Sequence, residues 1–253
     1  LIEMGVATEN LRVADPEPKP LAAQFPIQCY TDNLQAINGA HVVVLAVKPQ
    51  VLPEVAKSIS TTMATSKPLI ISIAAGIRME ELVRWLDIEQ SLPIVRVMPN
   101  TPALVRSGAS VLFSGQHVND IQRELAENIL RAVGLTLWLE DELQMDAVTA
   151  LSGSGPAYFF LMMEVLEKAG IGLGLSQENA RLLTLQTAFG AAKMALESQE
   201  DAATLRARVT SKGGTTEQAI NTLQSGGLQA LFDQALQAAQ QRAISLAKQF
   251  GEQ

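Results

Sequence analysis

The sequence predicts an α/β domain built on a parallel sheet over residues 1–141, followed by an all-helical domain over residues 142–253. Three observations carry this. In the first half, short continuous apolar runs alternate with helical stretches, the pattern of a parallel sheet covered on both faces. From Asp141 onward strand signals almost vanish. Two long segments of the second half are apolar nearly all the way round, which suits a helix only if it is buried on every side.

The elements follow in order. LRVAD (11–15) reads as a strand and 31–38 as a helix. HVVVLAVKP (41–49) is a stronger strand, stopped by Pro49, and a helix over 50–64 follows it. PLIISIAAG (68–76) and PIVRVMPNTP (93–102) are further strands, with a helix at 79–86 between them. SGASVLFSG (107–115), a helix near 119–133 and the strand LTLWLE (135–140) complete the first domain.

In the second domain, the helix over 156–170 opens on Pro156, suited to a first helical position, and continues AYFFLMMEVLEKAG. The helix over 178–197 carries only Glu178, Arg181, Lys193 and Glu197 as charges. A domain of about a hundred residues has too little mass to bury two such helices, so a partner subunit is expected to cover them. Gly170, Gly172 and Gly174 follow a helix and precede Ser176, a natural N-cap, so they read as a helix end and turn.

Composition narrows the function. With 47% hydrophobic residues in 253 the chain can bury a large core, and a net charge of −7 argues against a nucleic-acid surface. Cys29 is the single cysteine, so the chain cannot form an internal disulfide, which fits a reducing cytoplasm. His41 and His117 have no ligand-spaced neighbours, so no metal site is expected. The uncharged run 147–163 contains Gly153, Gly155 and Pro156 and makes a poor membrane span.

Ligands of a doubly wound sheet bind beyond the carboxyl ends of its strands. Those ends carry Asp15, AVKPQ (46–50), AAG (74–76) and MPNTP (98–102). Asp15 reads either as the acidic residue that bonds an adenosine ribose or as a turn starter before Pro16. The phosphate-binding G-x-G-x-x-G is absent where it belongs. A strand, a glycine loop and most of a helix, roughly 20 residues, are therefore expected before Leu1.

The stretch TSKGGTTEQAINTL (210–223) also has two readings. Thr215 and Gln218 have capping-box spacing, so a helix should start near Thr215 or Thr216. Gly213 and Gly214 would also let an anion reach the free amides of its first turn.

Taken together, AVKPQ, SIAAGI, RVMPNTPALVRSGAS, DAVTALSGSGPAYFF and RVTSKGGTTEQAI resemble the ordered motifs of the pyrroline-5-carboxylate reductase family, from about Asp15 to Leu223. The resemblance implies a Rossmann-like N-terminal domain, a helical C-terminal dimerisation domain, and a homodimer or a higher oligomer of dimers. It also implies the last step of proline biosynthesis, reduction of 1-pyrroline-5-carboxylate to L-proline by NADPH or NADH. It places the substrate at Ser211, Gly213, Gly214, Thr215 and Thr216, with the Thr216 hydroxyl bonded to the ring nitrogen as the catalytic group. It places the cofactor at Asn33, Ala46, Val47, Lys48, Pro49, Ala74, Ala75 and Gly76, joined by Asp15.

Two residues depart from the family pattern. Lys212 stands where proline is usual. Asp15 stands where NADPH-preferring members often have serine, and its carboxylate would repel a 2′-phosphate. Two rival readings are weighed beside this one. A dehydrogenase of the β-hydroxyacid class would need a motif around Lys168 or Lys193 that is not there. A non-catalytic nucleotide-binding protein would not need the GGTT loop.

Overall fold

The computed structural model describes residues 1–86 and 92–252. The chain forms two compact units, one of Leu1–Ser154 with Ala239–Gln253 and one of Gly155–Ala238. Residues 142–154 fall with the first unit, where Glu142 and Asp146 pair with arginines of the α/β layer. The C-terminal residues return to that unit by burying Phe250 in its core.

In the first unit, strands β1 (Arg12–Ala14) and β2 (Gln28–Tyr30) form a parallel pair. Helices α1 (Lys19–Gln24) and α2 (Asn33–Ile37) flank β2 in sequence. A second sheet runs in the order β3 (Val42–Leu45), β4 (Leu69–Ser72), β5 (Ile94–Met98), β6 (Gly108–Ser114), β7 (Gly134–Leu139). Helices α3 (Leu52–Ser66), α4 (Met79–Trp85) and α5 (Asp120–Arg131) cover it.

Two findings correct the expectation of one all-parallel sheet. The run 107–115 does form a strand, but β6 lies antiparallel to β5. Parallel neighbours need a crossover of a dozen or more residues, and the connection 99–107 is a tight turn with a short 3₁₀ helix at Thr101–Val105. In addition, α1 and β2 were missed, because Pro16, Pro18, Pro20 and Pro26 mask their periodicity.

The core lies on both sheet faces. Leu52, Ile59, Met63, Ile70, Ile77, Leu82, Trp85 and Ile94 cluster on one, with Phe250 among them. Leu69, Ile71, Val95, Val97, Leu112, Ala126 and Leu130 cluster on the other. This two-faced burial is why β4 and β5 read as largely apolar runs, with Ser72 and Arg96 as their polar residues. On the first face sits a buried carboxylate, Glu81, whose Oε2 accepts a bond from the Arg78 backbone N–H at 2.9 Å.

Burial pushes the Glu81 carboxyl above its usual range. A raised folded-state pKa means a contribution fully present below the ordinary value of 4.5 and lost as pH rises through the raised one. Wild-type stability should therefore fall relative to Glu81→Gln as pH rises from acid to neutral. Parallel melting curves of the two across that range would deny this.

The second unit is helical. Helix α6 (Met145–Val148) and a π-helical turn (Thr149–Gly153) lead into α7 (Gly155–Gly172) from the first unit. Helices α8 (Gln177–Glu197), α9 (Ala202–Arg208) and α10 (Thr215–Ser225) follow, and α11 (Leu228–Gly251) begins here and ends in the first unit. The 170–174 segment ends α7 as expected, with Gly174 at φ 98, and the Ser176 hydroxyl accepts from the Asn179 N–H to start α8.

α7 packs on α8, where Ala180 is buried against Gly170. Their other faces remain open. Phe159, Phe160, Leu161, Val165, Leu166, Leu182, Leu183 and Phe189 are each between 54% and 64% exposed in the single chain. A soluble monomer rarely shows an apolar surface of this extent. Among the described residues no helix is long and apolar enough to cross a membrane.

Candidate active site

The parallel register brings the carboxyl ends of β3, β4 and β5 to one edge. At the end of β3, Ala46 and Lys48 are exposed and Val47 and Pro49 half-buried. The Lys48 carbonyl accepts from the Val51 and Leu52 N–H groups at 3.0 and 3.2 Å, which turns the chain into α3 and leaves the ammonium free in solvent. At the end of β4, Ala74 is buried, Ala75 is exposed and Gly76 has φ 75, a conformation other residues rarely adopt. Asn33 is the first residue of α2, which Asp32 caps by accepting from the Leu34 N–H at 3.0 Å.

Asp15 ends β1, and its N–H extends the ladder to the Tyr30 carbonyl at 3.0 Å. Its Oδ1 accepts from the Glu17 N–H at 2.7 Å, the bond of a turn starter before Pro16. One carboxylate oxygen remains for a ribose. The residues at this edge fit a dinucleotide. Ala46, Ala74, Ala75 and Gly76 are small, so their backbone can be approached closely, and Lys48 provides an unpaired cation among the described residues.

The second unit holds the GGTT loop. Gly213 turns the chain at φ 74, and the Gly214 N–H closes a turn on the Ser211 carbonyl at 3.0 Å. Gly214, at φ −82 and ψ 170, is the N-cap of α10. This corrects the sequence reading, which gave the cap to Thr215 with Gln218 as its partner. Glycine adopts the extended cap conformation without a side chain, so both threonines move into the first turn.

Glu217 ties the loop to the helix start: its Oε2 accepts from the Gly213 N–H, one residue before the cap, at 2.7 Å. Glu217 sits three residues past the cap, the capping-box position, and the sequence reading overlooked it because the cap itself carries no side chain. The N–H groups of Thr215 and Thr216 have no backbone partner among the described residues, as first-turn amides do not. The Thr216 hydroxyl, half-buried, has none either, and the Ser211 and Lys212 side chains are exposed.

Two further clusters were not anticipated. Asn100, in the turn after β5, donates to the Ser152 carbonyl and hydroxyl at 3.2 and 3.3 Å and accepts from the Ala109 N–H at 2.9 Å. It thereby ties MPNTP to the π-helical turn of LSGSG, which gives these motifs a shared structural reason. Glu142 Oε1 accepts from both Arg96 Nη1 at 2.8 Å and the Met79 N–H at 2.7 Å, while Arg78 pairs with Asp146 at 3.3 Å. The Arg96 side chain is 5% exposed. Glu142→Ala should strip a buried guanidinium of its partner and cost about 3 kcal/mol. A denaturant midpoint equal to wild type would refute that.

A shallow hollow of about 580 Å³ lies beside these pairs, lined by Met79, Val83, Phe113 and Glu142. It includes none of the strand-end or loop residues named above. His41 and His117 are exposed, and among the described residues no cluster of His, Cys, Asp or Glu could hold a metal ion.

A parallel strand-end edge in one unit, with a second unit that is helical, is the architecture of a two-domain dinucleotide-binding protein. Comparisons with known proteins specify which. Residues 142–246 match the family model for pyrroline-5-carboxylate reductase dimerisation, and residues 1–76 match that for NADP oxidoreductase, coenzyme F420-dependent. The chain is 50% identical to a pyrroline-5-carboxylate reductase of Pseudomonas aeruginosa, over 98% of this chain and 91% of that one. Its structure resembles a pyrroline-5-carboxylate reductase from Coxiella burnetii, with TM-score 0.92 and 45% identity over 97% and 91% of the two chains. It also resembles that of Plasmodium falciparum with NADP bound, with TM-score 0.84 and 30% identity over 95% and 88%.

The chain belongs to the pyrroline-5-carboxylate reductase family. Its activity is the NAD(P)H-dependent reduction of 1-pyrroline-5-carboxylate to proline. The open faces of α7 and α8 belong to its dimerisation domain.

Proposed function

We propose that the reduction is divided between the GGTT loop, which takes the cyclic imine, and the strand-end edge, which takes the cofactor. The observation that carries this is the start of α10, where two unpartnered amides and the free Thr216 hydroxyl converge at a helix N-terminus. The amides of Thr215 and Thr216 suit the substrate carboxylate. Glu217 already uses the Gly213 amide, so Gly213 contributes its backbone turn rather than a bond. Gly214 keeps the cap free of a side chain, and Ser211 and Lys212 border the site.

The Thr216 hydroxyl can accept from a protonated ring nitrogen, holding the imine in its more electrophilic cationic form. Bound reduced nicotinamide supplies the hydride that the imine carbon accepts, and the ring nitrogen ends as an amine. No side chain of the loop needs to act as a strong acid, so catalysis is chiefly positioning.

On the cofactor side we assign Asp15 to the adenosine ribose, Asn33 to the adenosine and Lys48 to the ribose or phosphates. Ala46, Val47, Pro49, Ala74, Ala75 and Gly76 line the rest of the edge. The protein works in the cytoplasm, a reading supported by the lone Cys29. Its net charge of −7 supports a small-molecule enzyme without a nucleic-acid partner.

Steady-state oxidation of NADH and of NADPH upon addition of 1-pyrroline-5-carboxylate tests the reading, and no oxidation of either would reject it. In the same assay Asp15→Ser should raise the NADPH-to-NADH ratio of kcat/KM roughly fivefold, the effect of removing about 1 kcal/mol of repulsion. Serine can keep the turn to Glu17. A wild type that already strongly prefers NADPH would overturn the role given to Asp15.

A further inference from the structure

The β4–α4 turn, Ala74–Gly76, rests on the far end of the chain. On the side where Gly76 lacks a side chain, a Cβ would stand 3.6 Å from Leu246 Cβ and from two ring carbons of Phe250. That is ordinary van der Waals spacing for an added methyl, so helix α11 lies beneath the turn about one methyl group away from the Gly76 backbone. Phe250 is 4% exposed and shares its core cluster with Ala74 and Ile77, the residues on either side of Ala75 and Gly76. Ala247 and Ala243, one and two turns earlier on α11, are buried as well.

The end of α11 is fastened to α4, the helix that leaves the turn. Arg84 Nη2 donates to the Gly251 carbonyl at 2.7 Å. Glu81 closes over Gly251 so tightly that a Cβ there would lie 2.7 Å from its Oε1. The other carboxylate oxygen of Glu81 accepts from the N-cap amide of α4, at Arg78. One carboxylate therefore contacts both the start of α4 and the last turn of α11. Ala75, between these supports, is the exposed residue of the turn.

We propose that Phe250 is a positioning residue for the cofactor: its ring props the backbone of Ala74–Gly76 in the conformation that receives the nicotinamide dinucleotide. This rests on the reading of that turn as part of the cofactor edge. Gly76 can adopt many backbone conformations, so the turn cannot hold its own shape. An exposed, glycine-containing segment that must meet a ligand within about half an ångström needs rigid support from behind. The buried ring supplies it through the core it shares with Ala74 and Ile77, and the Arg84 bond and Glu81 hold the end of α11 that carries the ring.

The test compares Phe250→Ala, Phe250→Leu and Ala75→Leu in the full chain, well below their melting temperatures. Titration of each reduced nicotinamide gives the dissociation constant, and steady-state assays give kcat and KM for both substrates. Removing the ring should raise the cofactor dissociation constant about tenfold, with the KM for the imine moved less than about twofold. Phe250→Leu, which refills much of the volume, should lie between Phe250→Ala and wild type. Ala75→Leu should weaken cofactor binding directly.

If Ala75→Leu weakens the cofactor and Phe250→Ala does not, the prop is refuted and the cofactor edge stands. If Ala75→Leu changes nothing, the reading of the turn fails and the prop with it. A loss of melting temperature in Phe250→Ala with unchanged cofactor binding also refutes the proposal, because the ring is then core filling alone. Should Phe250→Ala not fold, Arg84→Ala carries the test, with a weaker cofactor expected and unchanged affinity counting against the prop.

Discussion

Replacing Thr216 with alanine is expected to lower kcat/KM for 1-pyrroline-5-carboxylate by roughly ten- to a hundredfold while cofactor affinity stays near wild type. The lost interaction is a hydrogen bond to a polar atom of the reacting ring, worth on the order of 1–3 kcal/mol. The fold should survive for a reason visible in the structure. The Thr216 hydroxyl makes no hydrogen bond within the described residues, and α10 is capped by Gly214 with Glu217 returning to Gly213. Alanine also favours a helical position slightly over threonine. Matching circular dichroism and melting curves beside an undiminished kcat/KM would show that the threonine is an ordinary first-turn residue.

An equally large effect is expected at the dimer. A glutamate placed at Phe160 on α7, or at Phe189 on α8, should yield monomers at micromolar concentration and abolish activity. Both rings are about 60% exposed in the single chain, 64% and 62%. Obligate interfaces bury over about 2,000 Å² in total, and an unpaired carboxylate in such a surface costs several kcal/mol. Light scattering reads the outcome. A dimer of unchanged mass and activity in both variants would mean that these faces are covered by something other than the partner.

How much of this was legible in the sequence depends on distance along the chain. β3, β4 and β5 could be read from their mostly apolar runs, because burial in a sheet favours apolar side chains residue by residue, with Ser72 in β4 and Arg96 in β5 as buried exceptions. The starts of α7 at Pro156 and α8 at Ser176 were legible for a similar reason, since a proline or a capping hydroxyl acts within one turn. The need for a partner was legible in α7 and α8, because all-round apolarity reports on solvent wherever the partner comes from. The GGTT loop was legible as a motif, though the cap lay one residue earlier than the side chains suggested.

Other features depended on the assembled fold. The antiparallel direction of β6 follows from the short turn before it, and its apolar pattern is the same in either orientation. The bonds of Asn100 to Ser152 and of Glu142 to Arg96 join residues whose local patterns are unremarkable. Phe250 comes to lie beneath the turn at Gly76, from which about two thirds of the chain separates it. By itself the sequence determined most of the residues that leave water and the helix starts marked by a proline or a capping hydroxyl, because those are local free energies of solvation and hydrogen bonding. Only the tertiary structure decided which buried surface meets which, because a phenylalanine pattern looks the same whatever backbone it comes to rest against.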